Sequence, residues 1–210
     1  ASDWSSDVCS SDLASVTGNT LFGRNAGKYL SGSSNTLIGN NSGYLLTGNN
    51  NVFIHNPNTT TTSGSNNTIV GVDVCSNGIF TDGTVAFGGA ILNGSLSGTG
   101  NVAFGYNVFR YLTSGSDNIG FGTYIAPWSS SSALTNNVLI GRNIFSNANF
   151  AINSSGNTII GIDSFISATG ETNTSLGYRT GYNLTGGSQN TFIGYNSGYN
   201  ATGNTNITLI

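Results

Sequence analysis

The chain has 210 residues, only 6% of them charged, with five Lys or Arg against eight Asp or Glu, and it contains 31 Gly and two Cys. The basic residues are scattered singly, so we expect neither a nucleic-acid surface nor a polybasic membrane patch. No apolar run approaches the roughly 20 residues that a membrane-spanning helix needs, and we expect no membrane insertion in this segment.

The first residues read as an addition to the protein. Residues 3–13, DWSSDVCSSDL, look like the conceptual translation of a short-read sequencing adapter, so we treat residues 1–16 as a non-native lead-in outside the fold. The alternative is a genuine Ser-rich linker. Without the lead-in the charges balance, and Cys75 is the one remaining cysteine, which forms neither an intramolecular disulfide nor a zinc site. Because no end caps are visible, we expect 17–210 to be one repeat domain truncated at both ends.

A five-residue anchor, Asn-x-x-apolar-Gly, recurs along the rest of the chain. The segment NTFIGYNSGYNATG at 190–203 matches NTLIGNNSGYLLTG at 35–48 at ten of fourteen positions. Twelve anchors follow one another at steps of 16 to 20 residues. In chain order they are NTLFG at 19, NTLIG at 35, NVFIH at 51, NTIVG at 67, TVAFG at 84, NVAFG at 101, NIGFG at 118, NVLIG at 137, NTIIG at 157, NTSLG at 173, NTFIG at 190 and NITLI at 206.

Each anchor predicts one short strand. Its second residue is β-branched and its fourth is apolar and large, whereas its third ranges from Phe53 to Gly120. This alternation places the second and fourth residues on one face, which we expect to form the core. So short a strand per repeat is too little for a hairpin or sandwich, and it favours a coil whose strands stack about 4.8 Å apart. The predicted fold class is all-β, a β-solenoid of the β-roll or β-helix type with about 11 turns.

Stacking gives the recurrent Asn and Gly a physical role. Stacked Asn side chains would form an amide ladder, in which each amide donates to one neighbour and accepts from the other. The predicted ladder residues are Asn19, Asn35, Asn51, Asn67, Asn101, Asn118, Asn137, Asn157, Asn173, Asn190 and Asn206. The fifth-position Gly suits a corner with positive φ or close backbone approach. An Asn or Asp often lies two residues after this corner Gly, and it predicts a turn-stabilising side chain or a second ladder.

The pattern Asn-Thr-x-Ile-Gly, followed by Asn-Ser-Gly-Tyr and Thr-Gly, resembles the repeats of phage tail fibres and large surface proteins. It is similar, less closely, to the β-roll heads of trimeric autotransporter adhesins, whose repeats carry an Asn-Ser-x-Ala-Ile-Gly core. The resemblance covers residues 17–210. It implies an extracellular, cell-surface or virion fibre, often a homotrimer, that spans distance or contacts a receptor.

No catalytic or metal-binding constellation is visible in the sequence. His55 is the single histidine, and its neighbours supply neither a carboxylate nor a second imidazole, so we expect no metal site there. We expect no enzyme activity and no cofactor. Among five acidic residues, two could still come together in space as the carboxylate pair of a glycosidase. A carbohydrate-active enzyme on a β-helix is therefore a third alternative. The five acidic residues are Asp73, Asp82, Asp117, Asp163 and Glu171.

Planar side chains are the best candidates for surface contact. Five of them follow a corner position, where stacking would form an exposed column able to contact a glycan or receptor. Two more lie in the longest turns, and insertions in solenoids often map to the binding face. The candidates are Arg24, Tyr106, Arg142, Tyr178 and Tyr195 in the column, with Trp128 and Phe150 in the turns.

Two function classes therefore compete. The first is a structural or adhesive fibre segment that self-associates, as the resemblance implies. The second is an ice-binding solenoid, which needs a flat and regular array of outward Thr side chains. The regular Thr are those at 20, 36, 68, 158, 174 and 191. They share a face with the large fourth residue, so we expect them to point inward.

Overall fold

A computed structural model describes residues 16–54, 61–75, 81–94, 97–127, 134–147, 154–166 and 169–210. Within these ranges the chain forms strands and turns, with no helix. The predicted lead-in at 3–13 lies outside the described residues, as do three residues singled out in the sequence, His55, Trp128 and Phe150.

Sixteen short strands occur in the described ranges. They are β1 (Thr20–Phe22), β2 (Thr36–Ile38), β3 (Leu45–Leu46), β4 (Val52–Ile54), β5 (Thr61–Thr62), β6 (Thr68–Val72), β7 (Val85–Gly89), β8 (Val102–Val108), β9 (Ile119–Ile125), β10 (Leu134–Thr135), β11 (Val138–Ile144), β12 (Ser154–Ser155), β13 (Thr158–Ile162), β14 (Thr174–Tyr178), β15 (Thr191–Ile193) and β16 (Thr208–Leu209). The anchor strands form one 12-stranded parallel sheet in chain order, while β3 pairs with β5 and β10 with β12. The predicted β-solenoid is confirmed.

The register of the large sheet repeats from one rung to the next, a rung being the anchor strand of one turn. Thr20 pairs with Thr36, Thr36 with Val52 and Val52 with Thr68. The same anchor position continues through every later rung to Thr208. At about 4.8 Å per rung, the twelve rungs span roughly 53 Å along the solenoid axis.

The face of the sheet that forms the core differs from the sequence prediction. The third anchor residue is buried, as Leu37, Phe53 and Ile69 are, whereas the second and fourth residues are half-buried or exposed. The expectation that the second and fourth residues line the core is wrong. The Thr at 20, 36, 68, 158, 174 and 191 therefore lie on the outward face, since successive strand residues alternate between faces.

Size complementarity inside the coil explains this difference. The third residue packs against the ninth residue of a turn, counted from the first anchor position. In the second turn the large third residue Leu37 packs against a glycine at the ninth position, and a Cβ on Gly43 would lie 2.7 Å from Leu37 Cδ1. Where the third residue is Gly120, the neighbouring ninth residue is Phe109, whose Cε2 would lie 2.7 Å from an added Cβ. Variable size at the third position thus reflects a filled core.

Glycine at the corner permits close stacking of the turns. Gly105, Gly122 and Gly141 have φ of 131°, 137° and 138°. A Cβ on Gly105 would lie 1.8 Å from the carbonyl oxygen of Gly122. Both reasons that the sequence suggested for this glycine, positive φ and close backbone approach, are confirmed.

The Asn or Asp two residues after the corner has both of its predicted roles. Asn41 and Asn143 adopt left-handed φ of 58° and 55°, which these side chains tolerate. Asn25 Nδ2 donates to Asn41 Oδ1 at 3.1 Å, and Asn143 Nδ2 donates to Asp163 Oδ1 at 2.7 Å. The position stabilises the turn and forms parts of a second ladder.

Candidate functional site

The first anchor position forms an amide ladder inside the coil. Asn137 Nδ2 donates to Asn118 Oδ1 at 3.0 Å, and Asn157 Nδ2 donates to Asn137 Oδ1 at 3.1 Å. The backbone N–H groups of Asn137 and Asn157 donate to the same two oxygens at 3.1 and 2.9 Å. Asn137 Nδ2 also reaches the carbonyl of Ser154 at 2.9 Å. These buried amides are tolerated because each one is hydrogen-bonded to its neighbours.

Ten of the eleven predicted ladder residues occupy this position. They are Asn19, Asn35, Asn51, Asn67, Asn101, Asn118, Asn137, Asn157, Asn173 and Asn190. The eleventh, Asn206, is a correction, because Thr191 pairs with Thr208 and Ile207 therefore takes the ladder position. Asn206 lies one residue earlier, is exposed, and has a φ of 60° like Gln189. A shift of one residue moves a side chain to the other face of a strand.

The outward side of the large sheet carries two side-chain columns, which together we call the outer face. The short column is the second anchor position, with Thr20, Thr36, Val52, Thr68, Val85, Val102, Ile119, Val138, Thr158, Thr174, Thr191 and Thr208. The tall column is the fourth, with Phe22, Ile38, Ile54, Val70, Phe87, Phe104, Phe121, Ile140, Ile160, Leu176, Ile193 and Ile210. All of these residues lie in the described ranges and none is charged.

Large apolar side chains are exposed to solvent along the tall column. Leu176 is 48% exposed and Ile160 is 39% exposed. In the middle of the column, the rings of Phe87, Phe104 and Phe121 stack with centroids 4.8 and 4.7 Å apart. Single exposed hydrophobic residues are common on protein surfaces, but a continuous row of them indicates an interaction surface.

The predicted column of planar side chains is interrupted. Strand register places Tyr106, Arg142 and Tyr178 at one position, but Thr123 and Ile162 occupy the rungs between them. Arg24, at the same repeat position near the other end, is exposed, as is Tyr195, with 74% of its surface accessible. The structure brings together only Tyr178 and Tyr195 of this set, whose ring centroids lie 5.4 Å apart.

A cluster around Arg179 joins two tyrosine columns, and the sequence interpretation did not include this arginine. The Arg179 guanidinium carbon lies 5.1 Å from the ring centroid of Tyr178 and 5.7 Å from that of Tyr182. Tyr182 stacks on Tyr199 at 4.9 Å. The sequence indicates this cluster through two similar segments, YRTGY at 178–182 and YNSGY at 195–199. Because the rings face one another, they present edges and hydroxyl groups to a partner.

The acidic residues give no sign of a paired active site. Asp73 and Asp163 share a repeat position five rungs apart, which separates them by about 24 Å along the axis. Asp82 lies in a surface cleft of about 280 Å³ with neutral neighbours, and its Oδ1 accepts the Ser65 N–H at 2.7 Å. In the described part of the chain, no three His, Cys, Asp or Glu side chains come together as metal ligands. That part also lacks a helix able to cross a membrane.

Comparison with known proteins adds no assignment. The chain matches no protein-family model, no curated protein and no solved structure. The β-solenoid and its buried asparagine ladder are features of this chain's own geometry.

Proposed function

We propose that this chain is a rigid segment of an extracellular, cell-surface or virion fibre, which presents a repetitive rod for contact with a surface or receptor. The observation that carries the proposal is the unbroken register of twelve parallel rungs. Every rung is hydrogen-bonded to its neighbours, so such a coil adds length with each repeat while staying ordered. The resemblance of the repeats to tail-fibre and adhesin-head repeats supports the same function.

Adhesive contact would use the planar side chains that lie outside the two columns of the outer face. The Arg179 cluster supplies a cation and the hydroxyl groups of Tyr178, Tyr182, Tyr195 and Tyr199 within two adjacent turns. Such groups suit the hydroxyls of a glycan, and aromatic edges suit its apolar faces. The same role is proposed for Arg24, Tyr106 and Arg142, and for Trp128 and Phe150 outside the described residues.

Two measurements test this proposal. Small-angle X-ray scattering should give an elongated particle with a long dimension of at least roughly 53 Å for the rungs alone. A compact globular profile would contradict the fibre function. A glycan array should then show binding that Tyr178→Ala with Tyr195→Ala abolishes and Tyr29→Ala, at an exposed tyrosine near the opposite end, leaves unchanged. An elongated particle that binds no glycan would reduce the proposal to a structural role.

Ice binding is retained as a second candidate because the short column places Thr outward at seven rungs. The six Thr of the sequence pattern and Thr208 lie on one sheet face, with neighbouring rungs about 4.8 Å apart. Five Val or Ile rungs interrupt the array, and the tall column flanks it with large apolar groups. Thermal hysteresis of the purified protein, lost in Thr158→Lys with Thr174→Lys, would support this candidate, whereas its absence in the unmodified protein would exclude it.

A further inference from the structure

We infer that the outer face is the surface through which copies of this chain associate, with their solenoid axes parallel. The inference rests on the proposed fibre function and assigns the contacting surface, the partner and the orientation. The partner is a second copy of the same chain, and the contacting groups are the short and tall columns.

The size and chemistry of the outer face suit a stable interface. Two columns, each about 7 Å wide along the strands and roughly 53 Å long, cover roughly 700 Å². The largest apolar patch on a typical monomer is about 300–600 Å², and a stable interface buries about 800 Å² per partner. The outer face, which includes seven threonines, therefore approaches the area that one partner buries in a stable interface. It carries no charge that would have to be desolvated on association.

The periodicity of the face identifies the partner. Its side chains recur at every rung, about 4.8 Å apart, over twelve rungs. A partner that fills the spaces between them must carry the same period over the same length. A second copy does so without further adaptation, and two sheets with identical repeats interdigitate at a face-to-face distance of about 10 Å.

The difference between the columns determines the orientation. The tall column of Phe, Ile, Leu and Val stands beside a short column of Thr, Val and Ile. Turning a second copy about an axis parallel to the solenoid places the tall column of each copy over the short column of the other. Turning it end over end places tall over tall and leaves the short columns apart. Shape complementarity therefore favours parallel copies related by rotation about the fibre axis.

Sedimentation equilibrium of the full chain tests the surface. The unmodified protein should sediment as a defined oligomer. Ile140→Lys with Leu176→Lys, which adds two charges to the tall column, should shift it to the monomer. Thr185→Lys with Thr202→Lys adds the same charge at exposed turn positions and should leave the oligomer intact. Circular dichroism should show the same β content in all three proteins, because every substituted side chain points outward.

The outcomes separate this inference from the proposed function. An elongated monomer in the unmodified protein, or an oligomer that survives the tall-column substitutions, would overturn the assigned surface and leave the fibre rod in place. A compact particle would instead contradict the fibre itself. The inference is upheld only if the tall-column variant dissociates and the turn variant does not.

Spin labels test the orientation. Asn40 is exposed beside the corner of the second rung, so Asn40→Cys in a Cys9→Ser background accepts one label while Cys75 stays buried. In parallel copies the two labels lie at the same level along the axis, so double electron–electron resonance should measure a distance within about 30 Å, given sheets packed about 10 Å apart. Antiparallel copies place them nine rungs apart, at least roughly 43 Å. The longer distance would overturn the parallel arrangement.

Discussion

Asn67 and Thr84 occupy consecutive rungs of the amide ladder, and the ladder is broken between them. The Thr84 N–H donates to Asn67 Oδ1 at 2.7 Å. However, both Asn67 Nδ2 and the Thr84 hydroxyl are buried, and neither has a hydrogen-bond partner among the residues that the structure describes. An amide fills the axial gap between rungs, and the shorter threonine side chain does not.

Replacing this threonine should therefore stabilise the protein. In Thr84→Asn, the new amide can donate to Asn67 Oδ1 and continue the ladder towards Asn101. We expect the free energy of unfolding to rise by about 1–2 kcal/mol, because the unsatisfied hydroxyl is removed and new hydrogen bonds form. Urea titration would measure the change. Thr84→Val, which removes the hydroxyl without adding an amide, should show only the smaller part of this gain that comes from removing the hydroxyl. An asparagine variant less stable than this control would contradict the explanation.

Removing an amide from the intact part of the ladder should have the opposite effect. Asn137→Ala leaves Asn118 Oδ1, the Ser154 carbonyl and Asn157 Nδ2 without one of their partners. We expect a loss on the order of 3 kcal/mol, since buried polar groups left unsatisfied cost about 1–3 kcal/mol each. Thermal and urea unfolding would both report it. Asn206→Gly is the matched control, expected to change stability by less than about 0.5 kcal/mol because the residue is exposed.

Core complementarity predicts coupling between the third and ninth positions. In Gly120→Ala, the added methyl group would lie 2.6 Å from Val108 Cγ1 and 2.7 Å from Phe109 Cε2. We expect a loss of about 1–3 kcal/mol from overpacking. Phe109→Leu creates space beside Gly120, so the double variant should be more stable than the sum of the single losses predicts. A double-mutant cycle with no coupling energy would contradict direct packing between these residues.

The buried thiol predicts a pH dependence of stability. Burial raises the pKa of Cys75 well above its ordinary value, because the thiolate would be desolvated. In the unfolded state the thiol ionises at about pH 8.5. Above this pH the unfolded state therefore loses the thiol proton while the folded state keeps it. The stabilising contribution is complete below that pH and falls by about 1.4 kcal/mol per unit above it.

Urea titrations across this pH range measure the slope. Cys75→Ala should be less stable at neutral pH, because it loses packed volume, but its stability should fall less steeply in alkali. Equal slopes for the two proteins would contradict a buried, neutral thiol. The two proteins differ at residue 75 alone, so contributions from the rest of the chain cancel in the comparison.

The sequence was sufficient to predict the coil and its ladder because stacking imposes the same demand on every turn. Asn137, for example, must match Asn118 and Asn157, so the requirement recurs visibly in the chain. Corner glycines such as Gly105 repeat for the same reason. Each of these residues packs against the equivalent residue of the adjacent turns. The same residue type therefore recurs at one position of the repeat, where the sequence shows it directly.

The inward face and the last rung depend on relationships that single positions do not reveal. The space for the third residue depends on the side chains packed against it from other positions, as Gly43 packs against Leu37 and Phe109 against Gly120, so its size looks unconstrained when considered alone. At the last rung the corner glycine that marks the end of most anchors is missing, so the sequence alone does not distinguish Asn206 from Ile207 as the ladder residue. The Arg179 cluster was missed because it combines side chains from different repeat positions.

Uniform register also has a genetic consequence. Each rung bonds only to the rung before and the rung after it, and those two surfaces are nearly alike. Loss or duplication of the DNA for one whole turn would leave ends that still fit together. Recombination between such similar coding units can therefore lengthen or shorten the rod in increments of about 4.8 Å while the fold stays the same. We expect related genes to differ by whole turns, and length variants that end in fractions of a turn would speak against this.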